Sequence, residues 1–104
     1  MKQVILFAAL TLAFPAAVAA PDEEGEALFK QKTCISCHGP NGKKPRLPGY
    51  PKIGGQIAAY TEKQIKEIKN GIRTNGQTAA MRGVTHLVND DEIRLISIWL
   101  ESQK

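Results

Sequence analysis

The sequence predicts an all-α chain on three observations. Three segments space their apolar residues at helical intervals, no run alternates apolar and polar over the length of a strand, and most prolines and glycines gather between the helical segments. The first segment is Pro21 to Lys32: proline stands early, Asp22, Glu23, Glu24 and Glu26 sit near the positive end of the helix dipole, and Lys30 and Lys32 near the negative end. It delivers the chain to Cys34. From Gly39 to Gly55, Pro40, Pro45, Pro48 and Pro51 fall among five glycines, a composition that argues against regular structure. A second helix fits Ile57 to Asn70, where Ile57, Tyr60, Gln64, Ile65 and Ile68 form one stripe and Asn70-Gly71 supplies the stop. Ile72 to Val88 reads as a second loop. The last helix opens at Asn89, which with Glu92 resembles a capping box; Asp90 and Asp91 suit the first turn, and Ile93, Leu95, Ile96, Trp99 and Leu100 make a wide buried face. The expectation is three main helices and two long loops, with no internal repeat.

Ahead of these elements, residues 1–19 read as a cleavable signal peptide. Lys2 gives a short positive start, Val4 to Phe14 is apolar except for Thr11, and Ala17-Val18-Ala19 offers small residues for cleavage. Cleavage is expected after Ala19, because a cut after Ala20 would leave Pro21 at the first mature position. A retained membrane anchor is the rival reading, but Pro15 interrupts the run and a spanning helix wants about 20 apolar residues. The expected product is a periplasmic chain of residues 20–104 without a membrane anchor. Its 85 residues make one small domain, marginal without a staple.

The staple is suggested by Cys34-Ile35-Ser36-Cys37-His38, which holds the two cysteines of the chain. C-x-x-C-H is the attachment signature of a c-type haem: each thiol adds to a vinyl group, and the adjoining imidazole reaches the iron. Three other uses of these residues are weaker. A dithiol redox centre wants a βαβ surround that the flanking sequence lacks. A structural zinc would need Cys34, Cys37, His38 and the distant His86 without a second ligand pair at recognisable spacing. A disulfide leaves His38 without a role. Aromatic residues after position 20 are Phe29, Tyr50, Tyr60 and Trp99, so the porphyrin is expected to supply much of the buried apolar surface and the haem-free chain to be largely unfolded.

Removing Lys2 lowers the formal charge from +4 to +3. Its distribution is uneven: no acid lies between Glu26 and Glu62, while Lys30, Lys32, Lys43, Lys44, Arg46 and Lys52 all do, bracketing the cysteine pair. Such a ring would steer an acidic redox partner; an ordinary solvated surface is the alternative. Nucleic-acid binding is not expected, because neither a basic helix face nor stacking aromatics accompany the charge.

Haem iron held by His38 needs a second axial ligand or an open position. Met81 is the candidate, since Met1 leaves with the signal and Met81 lies in the polar stretch Asn75 to Gly83, able to fold back over the haem. A soft thioether favours Fe(II) and raises the potential. His86 is the rival, and a gap-filling core residue is the other fate open to Met81.

Several separate features together resemble a class I c-type cytochrome of the small bacterial monohaem kind: Gly25-x-x-x-Phe29, Cys34-Ile35-Ser36-Cys37-His38-Gly39, Tyr50-Pro51-Lys52-Ile53-Gly54-Gly55-Gln56, Tyr60 with Gln64, Gly71-x-Arg73, Met81, and the helix containing Trp99. The resemblance covers Glu23 to Gln103. It implies a class I cytochrome c fold, its three main helices and long loops wrapped around one covalently bound haem c, with Cys34 and Cys37 as attachment points and His38 and Met81 as iron ligands. By the same resemblance Gly25 and Phe29 pack against Ile96 and Trp99 where the first and last helices cross. The Pro51 carbonyl accepts a hydrogen bond from the non-ligating nitrogen of His38, and Arg73 lies near a haem propionate or, alternatively, at the surface. Thr33 is an extra residue before Cys34, to be absorbed in the turn.

The expected function is periplasmic one-electron transfer, with His/Met-ligated haem c cycling between Fe(II) and Fe(III) and a redox protein on either side as donor and acceptor. No acid/base pair or nucleophile suggests an enzyme. The chain would be a monomer or, in a second reading, the cytochrome subunit of a periplasmic dehydrogenase. A third reading, a gas sensor or peroxidase-like enzyme, requires an open or displaceable sixth position.

Overall fold

The computed structural model describes residues 2–13 and 20–104, and all regular structure among them is helical. Five helices follow in order: α1 (Pro21–Gln31), α2 (Cys34–His38), α3 (Ala58–Lys69), α4 (Thr78–Thr85) and α5 (Asp90–Glu101), with a short 3-10 turn at Pro40–Gly42.

The frame is the crossing of α1 on α5. Pro21 opens α1 with Asp22, Glu23 and Glu24 in its first turn, as the charge pattern predicts. The capping box opens α5: Asn89 Oδ1 accepts from the Glu92 amide at 2.8 Å, and the Asn89 amide donates to Glu92 Oε1 at 3.0 Å. Where the helices cross, Gly25 lies so close that an added Cβ would stand 2.6 Å from Trp99 Cβ and run into the Leu95 carbonyl. One turn on, the Phe29 and Trp99 rings meet at 5.0 Å between centroids with planes tilted by 48°. Such a pair adds about 0.5–1.5 kcal/mol to the burial of its rings. Phe29, Ile93, Ile96, Trp99 and Leu100 make the heart of the core, which Ile65 of α3 and Val88 extend. Lys69 Nζ donates to the Val88 carbonyl at 2.6 Å and ties the end of α3 to the entry of α5.

Between α2 and α3 the chain is irregular apart from the 3-10 turn, as its prolines and glycines predict, and backbone bonds hold it in place. The Arg46 amide donates to the Cys37 carbonyl at 2.9 Å, the Ile53 amide to the Gly42 carbonyl at 2.9 Å, and the Gly55 amide to the Leu100 carbonyl at 2.7 Å. Gly39 permits the first reversal: its φ of +74° disfavours other residues, and a Cβ would collide with the Lys44 carbonyl.

Two sequence expectations change. The stretch 72–88, read as a loop, contains α4, and the cysteine motif itself forms the single turn α2. Gly76, Gly83, Thr78 and Thr85 lower the local helix propensity of the α4 region, and eight residues are too few to signal a period; packing on α3 makes the helix. Residues 2–13 carry no regular structure and stand outside the core, with Val4 81% and Phe7 89% exposed. Pro15, the small residues 17–19 and the expected cleavage point lie outside the described residues. Among the described residues no helix is long and apolar enough to cross a membrane.

Candidate functional site

One helical turn arranges the cysteine motif. In α2 residues 34, 37 and 38 share a face, because positions three and four apart are neighbours on a helix. Cys34, Cys37 and His38 all line one cavity of about 410 Å³, while Ile35 packs on the core and Ser36 is exposed. Thr33 adopts a left-handed conformation, φ 68° and ψ 8°, uncommon for a β-branched side chain. It turns the chain from the end of α1 into α2.

His38 is 7% exposed, and its Nδ1–H donates to the Pro51 carbonyl at 3.0 Å. A carbonyl only accepts, so the neutral ring keeps its lone pair on Nε2. Burial lowers the imidazole pKa below its ordinary value, more strongly than the Pro51 bond raises it, and so favours the neutral, metal-binding form. The thiols are unbridged. Burial pushes Cys34 up to about 11, assisted by the neighbouring Cys37 and opposed by a backbone hydrogen bond. An activated dithiol is shifted the other way. Among the described residues no three His, Cys, Asp or Glu side chains gather as a metal cage, and His86 is exposed at the end of α4.

Helix α4 also borders the cavity. Thr78, Met81 and Thr85 recur at helical spacing and line the cavity, with Met81 half-buried against the core. His86, the rival ligand of the sequence reading, is not among the lining residues. The floor is aliphatic, formed by Ile65 and Ile68 of α3 and Ile93 and Ile96 of α5. Arg73 reaches the rim half-buried; it donates through Nη1 to Gln64 Oε1 at 2.9 Å and through Nε to Asn75 Oδ1 at 3.0 Å.

A haem fits these residues. The cavity is mostly apolar, an imidazole nitrogen with a free lone pair and a thioether sulfur come to it from different elements, and the two thiols stand on the imidazole's side. Two lining residues were missed by the sequence reading. Thr61 and Thr78 are buried, and neither hydroxyl has a hydrogen-bond partner. Thr61 had a detectable signal: it sits four residues before Ile65 and seven before Ile68, a polar residue on an apolar stripe.

The basic ring is smaller than its composition suggested. Lys30 pairs with Glu26 at 3.1 Å and Lys32 with Glu92 at 3.5 Å. Among the described residues Lys43, Lys44, Arg46 and Lys52 have no such pair. All four are exposed on the loop that also carries Pro51.

The family model described as cytochrome c matches residues 23–104. Cytochrome c4 of Stutzerimonas stutzeri is 40% identical over 87 residues, covering 76% of this chain and 41% of that protein. A protein named thiosulfate dehydrogenase electron acceptor, from Thiomonas intermedia (strain K12), is 37% identical over 70 residues, covering 67% of this chain and 32% of its own length. The crystal structure of reduced recombinant cytochrome c4 from Pseudomonas stutzeri superposes with a TM-score of 0.71 at 38% identity, over 81% of this chain and 48% of that one. The chain thus spans less than half the length of each of these relatives.

Proposed function

Because the chain belongs to the cytochrome c family of haem-based electron carriers, as a class I c-type cytochrome with covalently bound haem c, we propose that it is a periplasmic one-electron carrier in which His38 and Met81 would hold the iron. The reading rests on one observation above the rest: His38, the two cysteines and Met81 all line one mostly apolar cavity. Cys34 and Cys37 hold the group through thioethers. His38 would offer Nε2 to the iron, while Pro51 fixes the ring and, by accepting the hydrogen bond from Nδ1–H, increases its donor strength. The Met81 thioether favours the reduced state. Haem c supplies the iron centre that takes up and gives back one electron. With His38 and Met81 retained in both oxidation states structural change would stay small, and Arg73, which lines the cavity, would meet a propionate.

Export would remove the signal after Ala19, so that the working chain begins at Ala20. Lys43, Lys44, Arg46 and Lys52 face solvent and suit an acidic surface on a redox partner. Docking of this kind is brief and uses a small interface. The relative named as an electron acceptor of thiosulfate dehydrogenase favours, as a second reading, a donor enzyme that oxidises inorganic sulfur, with this chain as its acceptor or its cytochrome subunit.

The ligand assignment is tested by the absorption spectrum. The oxidised protein is expected to show the charge-transfer band of methionine-ligated ferric iron. Met81→Ala loses that band, and its reduced form binds carbon monoxide at neutral pH where the parent does not. A band that survives in Met81→Ala overturns the assignment.

A further inference from the structure

We propose that Lys69 is a positioning residue for Met81: its bond to the Val88 carbonyl closes the base of the segment that carries Met81 and sets how readily the thioether leaves the iron, an inference that rests on the haem reading above. The chain departs from α3 at Lys69, runs through α4 and returns at Val88, and Lys69 Nζ donates to the Val88 carbonyl at 2.6 Å. Met81 sits inside that closed excursion. Other lysines of α3 pair along the helix, Lys63 with Glu67 at 3.8 Å and Lys66 with Glu62 at 2.9 Å. Lys69 has no carboxylate partner among the described residues; it reaches across 19 residues to a carbonyl instead.

The excursion has little else to hold its far end. Between Lys69 and Val88 no apolar side chain is buried, the buried residues being Thr78 and Thr85, while Ile72 is 72% and Leu87 45% exposed. Such a segment lies at the low-stability end of a structure. Its departure is fixed to α3 by backbone: the Ile72 and Arg73 amides both donate to the Glu67 carbonyl, at 2.8 and 3.1 Å. Its return has no equivalent. The Leu87 and Val88 amides bond within the turn, to the Val84 and Thr85 carbonyls, so among the described residues Lys69 makes the hydrogen bond that joins α3 to the return. Val88 is buried and lines the cavity, whereas Lys69 does not line it. The ammonium therefore acts on Met81 from outside the cavity, through the backbone. A charged donor makes this a strong bond, and its loss leaves the carbonyl of a buried residue without its partner.

An external ligand tests this, because it binds where Met81 has left and its apparent affinity rises with that population. Imidazole is titrated into the ferric holoprotein at constant pH, with loss of the methionine charge-transfer band as the signal. Lys69→Ala removes the donor and keeps a good helix former, and is expected to bind imidazole roughly fivefold to twentyfold more tightly than the parent. Lys69→Leu, which keeps part of the aliphatic stem, is expected to do the same and takes its place if alanine impairs folding. Lys69→Arg keeps a charged donor and is expected to match the parent. Phe29→Leu weakens the core away from the cavity and is expected to unfold at lower denaturant with its imidazole affinity unchanged. Unchanged affinity in the alanine and leucine variants overturns the proposal, as does a rise of equal size in Lys69→Arg or Phe29→Leu. A parent protein without haem, or a charge-transfer band that survives in Met81→Ala, defeats the underlying reading instead.

Discussion

One methyl group at position 25 would force apart the helices that frame the haem site. In an open helix alanine is better than glycine by about 1 kcal/mol. Here the new Cβ meets the Leu95 carbonyl and Trp99 Cβ, backbone and near-backbone atoms that cannot swing aside. Overpacking costs about 1–3 kcal/mol, so the penalty outweighs the propensity gain. Gly25→Ala is therefore expected to lower the unfolding free energy of the holoprotein by about 1–2 kcal/mol in a denaturant titration; an unchanged or higher midpoint contradicts the close crossing. At this scale the chemistry was legible where residue type and spacing together name a reaction, as in Cys34-x-x-Cys37-His38. Thr61 and Thr78 were not, because an inward-facing hydroxyl has the same letter as one on the surface. The same limit applied to Lys30 and Lys32, whose partners Glu26 and Glu92 are set by the fold.

Among the elements, α1, α3 and α5 were legible because each carries a start or stop signal as well as a period. The expected spans, Pro21 to Lys32 and Ile57 to Asn70, differ from the observed helices by one residue at an end or at each end. The expected cap of α5 is present with both of its reciprocal bonds. Asn89→Ala removes that cap and is expected to cost about 1 kcal/mol of stability while the haem spectrum stays as it was. No loss in thermal or chemical unfolding would contradict the capping role. Helix α4 was hidden, since two turns with internal Gly83 and β-branched Thr78, Val84 and Thr85 are poor helix formers alone. Its consequence is functional: Met81 is carried by a helix packed on α3, not by a free loop.

For the molecule as a whole, the cavity is large beside the core that surrounds it. The buried aliphatic and aromatic side chains lie mainly along α5 and its contacts with α1 and α3, and the cavity opens beside them. Without the porphyrin its apolar lining would face water, and the core beside it is small. A chain with both Cys34→Ala and Cys37→Ala is accordingly expected to show little helical circular dichroism and no cooperative thermal transition; a sharp transition like that of the holoprotein would contradict this. The fold class was legible because the haem motif, the helical periods and the proline-rich loop agree with one another. The docking partner was not, because four unpaired cations specify a sign of charge and not a protein. All of this depends on one haem joined to residues 34 and 37, and the most direct measurement is the intact mass of the purified protein. The account predicts a red protein whose mass exceeds that of its polypeptide by one haem, retained after denaturation in acidic organic solvent. A colourless protein with the mass of the polypeptide alone would contradict it.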